Sequence, residues 1–216
     1  MPLCNRVDPF GKLHATEARG LFTGNRGIIH DPETRTLLGR RWTTRAWIIC
    51  DLHWKGRRRE VWGRNGPAGG AGWTELFFLD EVTALAAGHR PCFYCRRKRA
   101  ETFRDSLFEG NGLDRGSAPE MDRLLHAQRV STNRAMLSKR VAEDLPDGAM
   151  IVADGRAFAM RKGRALPWSF AGYGEAQPPP DRAHLLTPPA TIGALRLGYR
   201  PRWHPSALGG SVTRRS

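Results

Sequence analysis

Apolar and polar positions alternate between residues 42 and 54, with Trp42, Thr44, Ala46, Ile48, Cys50, Leu52 and Trp54 on one side and Arg45, Asp51 and His53 on the other. A period of two is that of a strand. Lys55-Gly56 supplies a turn and RRREVW a returning strand, which predicts a β-hairpin. The glycine-rich stretch 63–72 lacks the Gly-Lys-Ser/Thr ending of a phosphate cradle and reads as a linker. WTELFFLD is a third strand, and Asp80 is placed to cap a short helix, EVTALAA, that Gly88 ends. Past Cys95 the period changes to that of a helix: Ala100, Phe103, Leu107 and Phe108 form its apolar side, with Arg96, Arg97, Lys98 and Arg104 on the flanks.

Ser117 and Glu120 have the spacing of a capping box, with Pro119 in the first turn and Met121, Leu124 and Leu125 on the buried stripe. Asp154-Gly155 and Lys162-Gly163 divide residues 150–168 into hairpin strands, and Thr187-Pro188 opens a last helix that Gly198 and Pro201 stop. Residues 1–40, rich in Gly, Arg and Asp-Pro, read as loops and short strands. The sum is an α+β chain: residues 1–110 carry the hairpin, strand, short helix, CxxC turn and basic helix, and residues 111–216 a helix and a hairpin-rich stretch, expected to form one continuous globular unit. ALAAGHRPC (84–92) and ALRLGYRPR (194–202) echo one another. A helix ended by Gly and stopped by Pro selects those shared letters, so convergent capping is the expectation rather than duplication.

Composition adds a partner and a compartment. With 216 residues, 40% of them hydrophobic, and seven tryptophans, the chain has enough apolar surface for a sizeable core. Lys and Arg number 35 against 21 acids, a net charge of +14, which points to polyanions. No apolar run reaches the roughly 20 residues of a membrane span, and MPLCNRVDPF lacks the apolar core of a secretory signal, so a cytoplasmic protein without a membrane partner is expected. Four cysteines are too sparse for a disulfide scaffold, and a reducing compartment leaves them as thiols open to a metal.

Cys92 and Cys95 stand at knuckle spacing in GHRPCFYC. Two thiolates so placed grip one ion while the turn amides screen their charge. A redox CxxC follows a strand and opens a helix, whereas a capped helix precedes this one, so a metal is the preferred reading. The run Arg96, Arg97, Lys98, Arg99 and then Arg104 is carried directly behind the knuckle, where it suits phosphate contacts. Arg57, Arg58 and Arg59 at the hairpin tip extend that surface, with Trp54 or Trp62 as a stacking face. Asp122 and His126, one helical turn apart, suit a metal or an acid–base pair, although an i, i+4 surface pair is the first reading. His89 reads as a backbone cap. Glu75, Asp80 and Glu81 are candidates for a divalent ion in phosphodiester cleavage, without a recognisable nuclease motif around them.

FFLDEVTALAAGHRPCFYCRR (77–97) resembles the second half of the zinc-binding domain of Ada, the DNA alkylation repair family, and TTRAWIIC (43–50) is similar to the strand that carries that domain's first cysteine. The likeness covers residues 43–99, about a quarter of the chain. It implies a small zinc-held αβ unit that binds DNA, with Cys50 in the place of the cysteine that takes a methyl group from a backbone phosphotriester. The family's second cysteine lies four residues after its first, and Trp54 stands there in this chain. The fourth ligand must come from elsewhere: Cys4, carried in by the N-terminal segment, is preferred, and His53 is the alternative, since a period of two turns it away from Cys50. Zn2+ on Cys4, Cys50, Cys92 and Cys95 would be a closed, structural site. The expected function is that of a zinc-stabilised nucleic-acid-binding protein, for DNA in preference to RNA. The alternative is a DNA-processing enzyme, either a thiolate methyl acceptor or a nuclease built on the C-terminal half. Burial of Cys50 beneath Ile48 and Leu52 is expected to prevent methyl transfer.

Overall fold

A computed structural model describes residues 1–53, 55–56, 59–131 and 134–209 in an α+β arrangement. Seven short strands come first: β1 (Cys4–Val7), β2 (Leu13–Ala15), β3 (Phe22–Asn25), β4 (His30–Asp31), β5 (Thr36–Leu37), β6 (Ile48–Asp51) and β7 (Leu76–Phe78). Helix α1 (Glu81–Ala86), strand β8 (Arg90–Pro91) and helix α2 (Arg97–Gly110) follow. The remainder is α3 (Ala118–Val130), β9 (Met136–Ser138), α4 (Lys139–Glu143), β10 (Met150–Ala153), β11 (Arg156–Arg161), β12 (Arg164–Ser169), β13 (Gly172–Tyr173), β14 (Arg182–Leu185), α5 (Pro189–Arg196) and a closing 3-10 turn, Pro205–Leu208.

The first of two six-stranded sheets has the order β2-β1-β7-β3-β6-β8 and is mixed, with β6 and β8 parallel. The second, β13-β12-β11-β10-β14-β9, is antiparallel. Its hairpins turn at Asp154-Gly155 (φ 48° and 73°) and Lys162-Gly163 (φ 50° and 70°), the left-handed pairs that match strand twist. One apolar cluster runs from Val7 through Phe103 and Leu107 of α2 to Ile151, Leu195 and Tyr199, so residues on both sides of position 110 share a core. The end of α2 lies against α5 so closely that a Cβ on Gly110 would meet the Gly193 carbonyl oxygen at 2.2 Å, which only glycine permits.

The caps read from the sequence are present: Asp80 accepts from the Thr83 amide, and Ser117 and Glu120 form a reciprocal capping box. The echoed segments end their helices in the same way. Gly88 and Gly198 take φ of 80° and 108°, and the amides of His89 and Tyr199 bond back to Ala84 and Ala194 at 2.9 and 3.0 Å. The first predicted hairpin differs. Its leading strand is confined to β6, because the Thr43 and Thr44 amides turn back to the Arg26 carbonyl (2.9 and 3.3 Å) and Trp47 enters the core. No returning strand forms at 59–62. Trp62 instead takes φ 61° in a turn, its amide bonded to the Glu75 carboxylate and its indole N–H to the Glu75 carbonyl, both at 3.0 Å. A side chain there satisfies the backbone that a partner strand would have satisfied.

Two successive buried carboxylates join α1 to the C-terminal segment. Asp80 accepts from the Tyr173 hydroxyl (2.9 Å) and the His204 amide (3.0 Å). Glu81, fully buried, accepts from Arg96 (3.0 Å), Arg99 (3.1 Å), the Arg202 amide (2.9 Å) and the Tyr199 hydroxyl. Burial alone would push the Glu81 carboxyl up, but Arg96 and Arg99 and the Tyr199 hydroxyl outweigh it and hold it below its ordinary value. Its stabilisation is therefore present above the usual carboxylate range and is lost as pH falls through that lowered value. Glu81→Gln is expected to destabilise the protein by about 3 kcal/mol at neutral pH, since it leaves the buried Arg96 with only the half-buried Asp51, 3.4 Å away, as a counter-charge. The difference in melting temperature from the native protein should shrink between neutral pH and about pH 3. A pH-independent difference would show that the charge of Glu81 is not what holds the segment.

Candidate metal centre

The parallel pairing of β6 with β8 brings the CxxC turn beside Cys50. The Cys92 amide bonds to the Ile49 carbonyl at 3.0 Å, and the turn closes when the Arg96 amide reaches the Cys92 carbonyl, also at 3.0 Å. The Tyr94 amide points at the Cys92 sulfur from 3.4 Å, as knuckle amides do. The Sγ atoms of Cys50, Cys92 and Cys95 all lie within 4.8 Å of one another. Cys50 and Cys92 are buried and Cys95 is half-buried. Their thiols are interdependent: hydrogen bonds from Cys50 and Cys95 pull Cys92 well below its ordinary value, while those with Cys92 and Cys95 drive Cys50 far up. Three sulfurs in this space do not all carry charge without a cation between them, and a cluster at this spacing could hold a thiophilic metal.

Cys4 is not among them. It opens β1, and β7 and β3 stand between β1 and β6, a separation of three strand spacings or roughly 14 Å across the sheet. Proximity of the N-terminal segment in the first sheet is thus not proximity to Cys50. His53 is exposed and outside the cluster, and Trp54 lies outside the described residues. Among the described residues the cluster offers three thiols and no fourth His, Cys, Asp or Glu, so the closed four-thiolate site expected from the sequence is not formed by them. Cys50 is 5% exposed, yet its strand face is not packed into the core. Ile48 is half-buried and Leu52 exposed, and together with all three cysteines, Trp73 and Glu75 they line a recess of about 430 Å³.

The basic residues divide sharply. Arg96 is buried, its guanidinium 3.0 Å from Glu81 and 3.4 Å from Asp51 and lying over the Phe22 ring. Arg99 is tied to Glu81, Arg104 to Asp105 at 2.8 Å, and Arg59 to Glu75 at 3.0 Å above the Trp73 ring. Arg97 and Lys98 are exposed, Arg97 within reach of Glu101 at 3.5 Å. Arg57 and Arg58 lie outside the described residues. Arg97, Lys98 and Arg99 share an open groove of about 560 Å³ with Tyr94, Arg200 and Arg202. The last two were missed in the sequence, although the ALRLGYRPR echo marked the turn that delivers them.

The other candidates serve the fold. Asp122 takes two hydrogen bonds from Arg90, at 3.0 and 2.9 Å, and His126 faces Arg129 instead. His89 is fully buried and its Nε2 accepts from Arg26 at 3.2 Å. Glu75, Asp80 and Glu81 are each occupied by the donors named above, which leaves them poorly suited to a divalent ion.

Compared with known proteins, the chain matches no family model, no curated protein and no solved structure.

Proposed function

We propose that this is a zinc-binding protein that grips nucleic acid, DNA in preference to RNA. The observation that carries the reading is the Cys50–Cys92–Cys95 cluster, whose Cys95 lines a cationic groove. Cys95 lines that groove and is followed at once by the turn into α2, so an ion on the three thiolates would fix the position of Arg97 and Lys98. Zinc suits the donor set because it accepts thiolates without redox chemistry. The groove contributes Arg97, Lys98, Arg200 and Arg202 as exposed cations and the Tyr94 ring as an apolar face, a combination suited to phosphates and bases. The preference for DNA rests on the likeness of residues 77–97 to the Ada zinc-binding domain.

The recess over the cysteines favours a second reading, in which Cys50 accepts a methyl group. A thiolate there would form the S–C bond while the C–O bond of a methyl phosphotriester breaks, releasing a phosphodiester anion. Three protein ligands and an adjoining recess leave room for a substrate, as a closed site does not. A single methyl mass on the Cys50 peptide after incubation with methylated DNA, absent in Cys50→Ser, would make this reading the stronger one.

Purified protein is expected to carry one zinc per chain by elemental analysis. Cys92→Ser or Cys95→Ser should abolish that content and lower thermal stability, and Cys4→Ser should leave both unchanged. Metal-free protein whose unfolding is insensitive to chelators would remove the zinc assignment.

Binding to duplex DNA should weaken steeply with salt. Replacing Arg97 and Lys98 by Gln, which has a similar helix propensity to both, should shallow the slope of log K against log salt by about 0.9 for each phosphate no longer neutralised. Arg200→Gln should act alike, since the groove joins it to them. An unchanged slope in all three variants would move the nucleic-acid surface elsewhere.

A further inference from the structure

A second cationic cavity, sharing no residue with the cysteine recess, lies between the turn after β1, the loop after β5 and the end of α3. Its volume is about 840 Å³, and six of its lining residues are cations: Lys12, Arg26, Arg40, Arg41, Arg129 and Arg134. Among the described residues, no Asp or Glu lines it. Arg26 is 1% exposed. Its Nη1 donates to the Gly11 carbonyl at 2.9 Å and its Nε to His89 at 3.2 Å, while its Nη2 meets no acceptor among the described residues. Arg129 gives its Nη groups to the carbonyls of Gly88 and Arg45, and its Nε is likewise without an acceptor. Both guanidiniums lie over the Trp47 ring, 4.0 and 4.2 Å from its centroid.

Stacking on Trp47 explains where these two side chains sit but leaves one N–H group of each without an acceptor and neither guanidinium in an ion pair among the described residues. Elsewhere in this protein the buried cations meet carboxylates, Arg96 with Glu81 and Arg90 with Asp122. Arg26 does not, and it is held down to about 9 by burial and then by Arg41 and Arg129, with Asp8 acting the other way. Asp8 is itself engaged by the Lys12 amide and His14, each at 2.8 Å. A buried guanidinium with an unpartnered N–H and cationic neighbours is the arrangement that an anion completes. Several forked donors around one space favour a tetrahedral dianion with many acceptor oxygens over a single carboxylate. The cavity also has apolar walls, Leu37, Leu38 and Val130, and falls in the size range of small-molecule sites.

We propose that this cavity binds a phosphate monoester of nucleotide size, its phosphate on Arg26, Arg41, Arg129 and Arg134 and its organic part against the leucines. The assignment is independent of the metal and of the groove beside it. The same phosphate chemistry is offered by a free nucleotide and by the 5′-phosphorylated end of a strand.

Calorimetry on the full chain tests it, with a nucleoside monophosphate as probe. The monophosphate should bind saturably at one per chain, inorganic phosphate more weakly, and the uncharged nucleoside not at all. Arg41→Gln and Arg134→Gln, both at exposed positions and so tolerable to the fold, should each weaken the monophosphate about tenfold, the effect of removing one charge-assisted hydrogen bond. Arg140→Gln, which removes an exposed charge outside the cavity, should leave binding unchanged. Competition by a 5′-phosphorylated oligonucleotide but not by its 5′-hydroxyl counterpart would identify a strand end as the source, and competition by neither would identify the free nucleotide. Equal binding of nucleoside and monophosphate, or monophosphate binding untouched in the Arg41→Gln/Arg134→Gln double variant, overturns the proposal.

Discussion

The buried carboxylate of Glu81 ties together three parts of the chain that would otherwise have no fixed relation. It sits in the first turn of a six-residue helix, too short to be stable on its own, and receives donors from α2 and from the segment after α5. Arg96 is one residue beyond Cys95, so the same ion pair that closes the core also sets the direction in which α2 leaves the CxxC turn. Asp80 makes the corresponding link towards the second sheet through Tyr173 and His204. The cysteine cluster is therefore held from two sides, by the β6–β8 pairing and by a residue-80/81 knot to which the C-terminal segment contributes.

That knot changes how the charge of the protein is to be understood. The net +14 is not a uniform basic coat. Of the 35 basic side chains behind it, some are paired inside, as Arg90 and Arg96 are, and some are exposed on α2 and at Arg200 and Arg202. A third group, Arg26 and Arg129, stacks on Trp47 without an ion pair among the described residues. A shallow basic groove and a deeper, open basic cavity suit anions in different ways. Under the proposals above, the groove would take polyanions and be screened by salt, whereas the cavity would discriminate by the number of acceptor oxygens.

The two echoed helix ends show how a local motif is reused for different chemistry. Both finish with a left-handed glycine and a backbone bond to the fifth residue before. After the first comes a buried Arg90 and the two cysteines, and after the second come exposed Arg200 and Arg202. The two turns meet at the cationic groove, one supplying Cys95 and the other the extra positive charge of Arg200 and Arg202.

Features decided between near neighbours along the chain were legible from residue order: the Asp80 cap, the Ser117–Glu120 box, the Asp154-Gly155 and Lys162-Gly163 turns, and the pairing of Cys92 with Cys95 in one knuckle. Each rests on hydrogen bonds or dihedral preferences spanning a few residues, so residue type and spacing are enough. The alternation at 42–54 misled because tertiary hydrogen bonds from Thr43 and Thr44 to Arg26 override a period-two pattern outside β6. Strand order was beyond reach as well. Two intervening strands separate Cys4 from Cys50, while a parallel pairing joins Cys50 to Cys92, and neither follows from distance along the chain. Which arginines face solvent, which face Glu81 and which surround an open cavity emerges from the folded chain alone, because a guanidinium's role is set by the acceptors that distant segments bring to it.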